Sequence, residues 1–195
     1  EYTGEQLSDA TKVLKGSEGT TVKVTVLRDE KEIELNVTRK KITVDHVASK
    51  MLDNNIGYIQ IVSFSEDTAN EFNEAYNDLK NQGMKALVLD LRNNPGGLLT
   101  TCVEIAKKLV PKGEIVSIVD KQGNKETYSS SLEAPEYPLA VLINKNSASA
   151  SEILSGAIQD TKAGTIIGNT SYGKGSVQTI LPMFEDDAVK LTIAK

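Results

Sequence analysis

Five short apolar runs constrain this chain more than any other feature: IGYIQIV (56–62), ALVLDL (86–91), IVSIV (115–119), LAVLI (139–143) and GTIIG (164–168). Each has strand length, and largely unbroken apolarity marks a strand covered on both faces. The segments between them carry a different period. Ala69, Phe72, Tyr76 and Leu79 share one helical face that ends near Gly83, and Leu98, Leu99, Cys102, Ile105, Ala106, Leu109 and Val110 share another. SEILSGAIQD (151–160) reads as a third helix. Strands alternating with helices predict an α/β fold with a largely buried sheet, and in such sheets chemistry sits on loops beyond the strand ends.

The first 45 residues follow another pattern. Leu7, Ala10, Val13 and Leu14 line one face of a short helix that Gly16 can end. Val22, Val24 and Val26, then Ile33, Leu35 and Val37, alternate with polar residues around Asp29-Glu30, so 20–38 reads as a hairpin. That piece is too small to close its own core. The predicted division is 1–45 and 46–195, and 195 residues, 39% of them hydrophobic, accommodate one domain of ordinary size plus a small one.

Charge and cysteine content exclude several classes of function. The net charge is −5 and the longest basic run is Arg39-Lys40-Lys41, which argues against nucleic acid as a partner. A single cysteine, Cys102, excludes an intramolecular disulfide and a cysteine-based metal cluster. No run approaches the roughly 20 apolar residues that span a bilayer. The opening EYTGEQLSDA lacks the features of a signal peptide and does not start with Met, so the expectation is a fragment whose targeting segment lies elsewhere.

Three loops carry candidate chemistry. LRNNPGG (91–97) follows the ALVLD strand, and its two glycines allow main-chain N–H groups to approach a ligand, as an oxyanion hole requires; a plain tight turn is the alternative. NKNSASASEI (144–153) follows LAVLI and places Ser149 three residues before Glu152, the spacing of a capping box. A serine at a helix N-terminus can also be a nucleophile, because unpaired N–H groups there stabilise a developing oxyanion. Ser147 and Ser151 compete with Ser149 for that role, and spacing alone does not separate them. The third loop, GNTSYGKG (168–175), has the Gly-x4-Gly-Lys spacing of a phosphate loop. Gly175 stands where the magnesium-binding Ser or Thr would be, however, and SVQTILPMF (176–184) reads as a strand rather than a helix. Lys174 is then either a solvated lysine or a base. The one histidine, His46, lies at the junction of the two regions, so a Ser-His-Asp arrangement must use it, whereas a serine-lysine pair can use the Lys174 loop.

Together and in this order, LRNNPGG, NKNSASASEI and YGKGSVQ resemble the carboxyl-terminal processing peptidases, or tail-specific proteases, PDZ-containing serine endopeptidases. The resemblance covers nearly the whole chain. It implies a crotonase/ClpP-like α/β protease core, preceded by the C-terminal part of a PDZ domain whose N-terminal half is missing. It also implies Ser149 as nucleophile, Lys174 as general base 25 residues later, and Gln178 as the residue that orients the lysine. The oxyanion donors it implies are the N–H of Ala150 and of a glycine in NPGG, with Gly96 placed ahead of Gly97. The implied substrate is an unstructured protein C-terminal tail, in an extracytoplasmic setting, with no metal or cofactor and with membrane attachment only through a segment outside this sequence. A homo-oligomer is compatible with this reading. A non-hydrolytic binder of apolar ligands and a crotonase-like acyl-thioester enzyme are the competing readings.

A lysine base imposes a physical condition. An ordinary lysine is neutral in only about one molecule in 2,500 at pH 7, so its surroundings must disfavour the ammonium. Tyr172, Val177 and Ile180 are the expected apolar surroundings, and Gln178 the expected acceptor of a hydrogen bond from the amine.

Overall fold

The structure is a computed structural model that describes residues 2–41, 44–183 and 187–195. It divides into two compact units, Glu1–Val44 and Asp45–Lys195. In the first, a short 3-10 turn leads into helix α1 (Leu7–Leu14), followed by strands β1 (Thr21–Arg28) and β2 (Lys31–Thr38) paired antiparallel. Asp29 and Glu30 close the hairpin, both at positive φ (52° and 60°), the geometry that matches a two-residue turn to the strand twist.

The second unit is built on a five-stranded sheet in the order β3-β4-β5-β8-β9. Its strands are β3 (Val47–Leu52), β4 (Ile56–Ile61), β5 (Ala86–Asp90), β8 (Leu139–Ile143) and β9 (Thr165–Gly168). β3 runs antiparallel to β4, and the other three pairings are parallel. The sheet is therefore a mixed one in an α/β fold. Helices α2 (Thr68–Asn81), α3 (Leu99–Leu109) and α4 (Ala150–Asp160) supply the connections, with α3 packed on both α2 and α4. Phe72 and Leu79 of α2, Ile105 of α3, and Leu154 and Ile158 of α4 are buried against Ile59, Leu87 and Leu89 of the sheet. Fully burying each such side chain contributes about 1.5–3 kcal/mol.

Two hairpins complete the unit: β6 (Gly113–Val119) with β7 (Lys125–Ser130), and β10 (Val177–Pro182) with β11 (Ala188–Ala194). Main-chain bonds between Val119 and Lys195, 2.9 and 3.0 Å long, join the two. The run IVSIV is thus a strand, but it lies outside the main sheet, contrary to the sequence expectation. It is apolar because it covers α3 and α4: Ile115 is buried and Val116 packs on the core. SVQTILPMF forms β10, while its last residue, Phe184, lies outside the described residues. Among the described residues no helix is long and apolar enough to cross a membrane.

Candidate active site

Parallel pairing decides where the site forms. β5, β8 and β9 are neighbours running the same way, so the loops that leave their C-terminal ends emerge along one edge of the sheet. Those loops are LRNNPGG, NKNSASAS and NTSYGKGS, the three singled out in the sequence. A cavity of about 660 Å³ opens there, and its lining includes Gly97, Ser149, Ala150, Lys174 and Gln178.

Ser149 caps α4 in a sharp strand-to-helix turn with φ 55° and ψ −115°, a backbone conformation that non-glycine residues rarely adopt. Such strain costs about 1–3 kcal/mol and persists only where the surroundings enforce it. The two competing serines are occupied. Ser147 is buried and donates to the Leu91 carbonyl at 2.7 Å, and Ser151 is buried and donates to the Asn94 carbonyl at 3.1 Å. Neither lines the cavity; Ser149 does.

Asn94, fully buried, ties the loops together. Its Nδ2 donates to the Ile61 carbonyl at 2.8 Å, its Oδ1 accepts from the Gly96 N–H at 2.8 Å, and its carbonyl accepts from the Ala148 N–H at 3.0 Å. Gly96 has φ 98°, and a Cβ there would stand 2.8 Å from the Cβ of Ser149 and 2.9 Å from the nitrogen of Ala150. The glycine is what allows the two loops to touch. Its N–H is committed to Asn94, whereas Gly97, at φ 148°, lines the cavity. Outside the cavity, Asn93 Oδ1 accepts from the side-chain amides of both Asn144 and Asn146 at 2.9 Å, clasping the same two loops.

Lys174 is half-buried at the cavity. Its loop is held by Glu152, whose carboxylate accepts from Ser171 Oγ (2.8 Å) and from the N–H groups of Gly173 (2.6 Å), Lys174 (2.9 Å) and Ser149 (2.8 Å). Burial alone would raise the pKa of Glu152, but these donors together hold it below the usual carboxylate range. Gln178 sits on β10 opposite Thr192 of β11, and its Nε2 donates to Thr192 Oγ1 at 3.3 Å. The amide nitrogen is thereby assigned to the neighbouring strand, and Oε1 is the remaining acceptor.

Two further features bear on the sequence reading. His46 Nδ1 lies 2.7 Å from Ser63 Oγ and is not among the cavity-lining groups. Tyr172, expected among the apolar surroundings of the lysine, is 70% exposed and does not line the cavity. Ile180 lines it although 66% exposed, and Val177 lines it with Leu98, Leu99, Ile118 and Ile153.

Residues 55–195 match peptidase family S41. The chain belongs to that family. It is 40% identical to the carboxy-terminal processing protease CtpA of Bacillus subtilis, over 98% of this chain and 42% of the relative, and 36% identical to the carboxyl-terminal-processing protease of Synechocystis, over 97% and 46%. It spans less than half the length of these relatives. Among solved structures, the photosystem II D1 C-terminal processing protease superposes with a TM-score of 0.69 at 33% identity, covering 97% of this chain and 54% of that one.

The S41 region also contains a buried carboxylate that the sequence reading passed over. Asp90, the last residue of β5, is 0% exposed; it accepts from Tyr58 Oη at 2.6 Å and from Arg92 at Nε (2.9 Å) and Nη2 (2.6 Å). Burial raises its pKa, but the guanidinium, the phenol and the Arg92 N–H outweigh that and lower it. The pair fixes the start of the S41 loop that ends in Gly96-Gly97. Cys102, also in this region, is inert: its thiol donates to the Ala150 carbonyl at 3.2 Å, and burial pushes its pKa up to about 12.

Proposed function

We propose that this chain carries the catalytic core of a serine endopeptidase that cuts protein substrates near their C-termini. In this reading Ser149 is the nucleophile, Lys174 the general base, Gln178 the residue that orients the lysine, and Ala150 and Gly97 the oxyanion N–H donors. The supporting observation is the shared cavity. Three loops distant in sequence, with the strand β10, bring to one space a strained serine at a helix N-terminus, a lysine, an amide side chain and a glycine turn.

The chemistry follows from those groups. Ser149 Oγ attacks the substrate carbonyl carbon as its proton passes to Lys174 Nζ, and the oxyanion is stabilised by the two N–H groups. Collapse breaks the C–N bond, and the lysine ammonium gives its proton to the departing amine. Water then attacks the acyl-enzyme as its proton passes to the same lysine, and collapse breaks the acyl C–O bond, freeing the carboxylic acid product as the lysine ammonium returns that proton to Ser149 Oγ. Apolar walls at Leu98, Leu99, Val116, Ile118 and Ile153 exclude water once a peptide is seated. Gln178 Oε1 accepts a hydrogen bond from the neutral amine and aims its lone pair at the serine.

The matched relatives are named for carboxy-terminal processing, and the substrate class adopted here, unstructured C-terminal tails, follows them. The Glu1–Val44 unit is read as the back half of a PDZ domain, a module that captures terminal carboxylates by strand addition. The setting is read as extracytoplasmic. In the full-length protein, assayed on an unfolded reporter with a free C-terminus, Ser149→Ala and Lys174→Ala should each lower kcat by at least about a thousandfold. His46→Ala should retain most activity. A Lys174→Ala variant that still cleaves, beside an inactive His46→Ala, would refute the assignment.

A further inference from the structure

We propose that Glu152 is a positioning residue that sets the register between Ser149 and Lys174, because one of its oxygens, Oε2, accepts from the main-chain N–H of both. Those bonds are 2.8 Å to Ser149 and 2.9 Å to Lys174. The other oxygen, Oε1, accepts from Ser171 Oγ and the Gly173 N–H at 2.8 and 2.6 Å. The inference rests on the serine-lysine reading above and adds to it a mechanical link between the two residues.

Helix capping does not account for this arrangement. A capping box needs only the bond from Glu152 to the Ser149 N–H. The three other donors come from the loop 19 to 22 residues further along the chain, which contributes nothing to the helix end. That loop has no regular secondary structure from Thr170 to Ser176, and besides Glu152 it is tied by the Tyr172 N–H to the Ser147 carbonyl at 3.0 Å. With both main-chain nitrogens bonded to one atom, the backbones that carry the serine and lysine side chains are held beside each other. A displacement of about 1 Å in such a pair is enough to lower a rate by around a hundredfold.

The charge state is part of the device. Four donors converge on two oxygens, so only the acceptor-only carboxylate satisfies them all. Glutamine is nearly isosteric but places an NH2 group where two donors point, and the Gly173 N–H cannot reverse its role. Aspartate is one methylene short.

The test is steady-state kinetics on the full-length protein with the unfolded reporter. Glu152→Gln should lower kcat by around a hundredfold with KM changed by less than about threefold, and Glu152→Asp should not restore it. Ser171→Ala removes one donor from the same carboxylate, in a loop rather than a helix, and should lower kcat by around threefold to tenfold with KM unchanged. If the two residues act through one clamp, Ser171→Ala should cost little more in the Glu152→Gln background. Full additivity in kcat, or kcat within threefold of wild type for folded Glu152→Gln, would overturn the proposal. So would an unaltered kcat in Ser171→Ala, which decides the matter if Glu152→Gln does not fold. Lys174→Ala separates the two ideas: if it is active, the serine-lysine reading fails, whereas if it is inactive while Glu152→Gln is active, only the clamp fails.

Discussion

Ser149 occupies a backbone conformation in which an L side chain is strained, and it does so at the N-terminus of α4. Glycine tolerates that region without the steric cost and, at an N-cap, is worse than serine by only a few tenths of a kcal/mol. Ser149→Gly should therefore stabilise the fold by about 1–2 kcal/mol, raising the melting temperature by about 2–8 °C, while abolishing cleavage. Differential scanning calorimetry of the two forms checks this, and a lower melting temperature in the variant would show that the turn is not under strain. Ser147 and Ser151 behave in the opposite way. Each bonds to a carbonyl of the LRNNPGG loop, so their hydroxyls act as structure. The SASAS run thus divides its labour by burial, and burial is what spacing in a sequence does not encode.

At the level of elements, the LRNNPGG loop reaches its place by docking on the chain just after β4. Phe64 N–H donates to the Gly96 carbonyl at 3.0 Å, and Leu98 N–H donates to the Phe64 carbonyl at 2.7 Å, so Gly97 lies flat against the Phe64 backbone. A Cβ on Gly97 would fall on the Phe64 carbonyl group, 2.7 Å from its carbon. Gly97→Ala should cost about 2–4 kcal/mol and displace the proposed oxyanion donor. Urea unfolding and peptidase assays together check this, and an unchanged midpoint would mean the loop has room to move. The same scale shows what could be read beforehand. The parallel strands β4, β5, β8 and β9 and the three long helices were legible because each carries its own apolar period. β3 and β7 were not, since VASKML and KETYSS are mixed strands with few buried positions. IVSIV was legible as a strand but not as part of a separate hairpin, because apolarity reports that a residue is covered and not by what. The site motifs were visible as turn-rich loops at strand ends. Asn94 and Asp90 were not, because an asparagine in a turn and an aspartate at a strand end look ordinary until the elements they bridge are brought together.

For the molecule as a whole, Asp90 and Glu152, among the carboxylates held below their usual range, link stability to pH through the site loops they anchor. A depressed folded-state pKa contributes stability that is fully present above the ordinary carboxylate value, about 4, and is lost as pH falls through the lower folded value. The melting temperature should therefore change little on account of these groups between pH 7 and 5 and fall steeply below about pH 4. The fall should be shallower in Asp90→Asn and in Glu152→Gln. Parallel acid slopes in wild type and both variants would remove these two groups from the account. β9 has a different consequence. It is four residues long, sits last in the sheet and has a single partner strand. Four residues of edge pairing are therefore what hold the chain leading to Lys174 on the sheet, and their amide hydrogens should exchange with solvent sooner than those of β5 and β8.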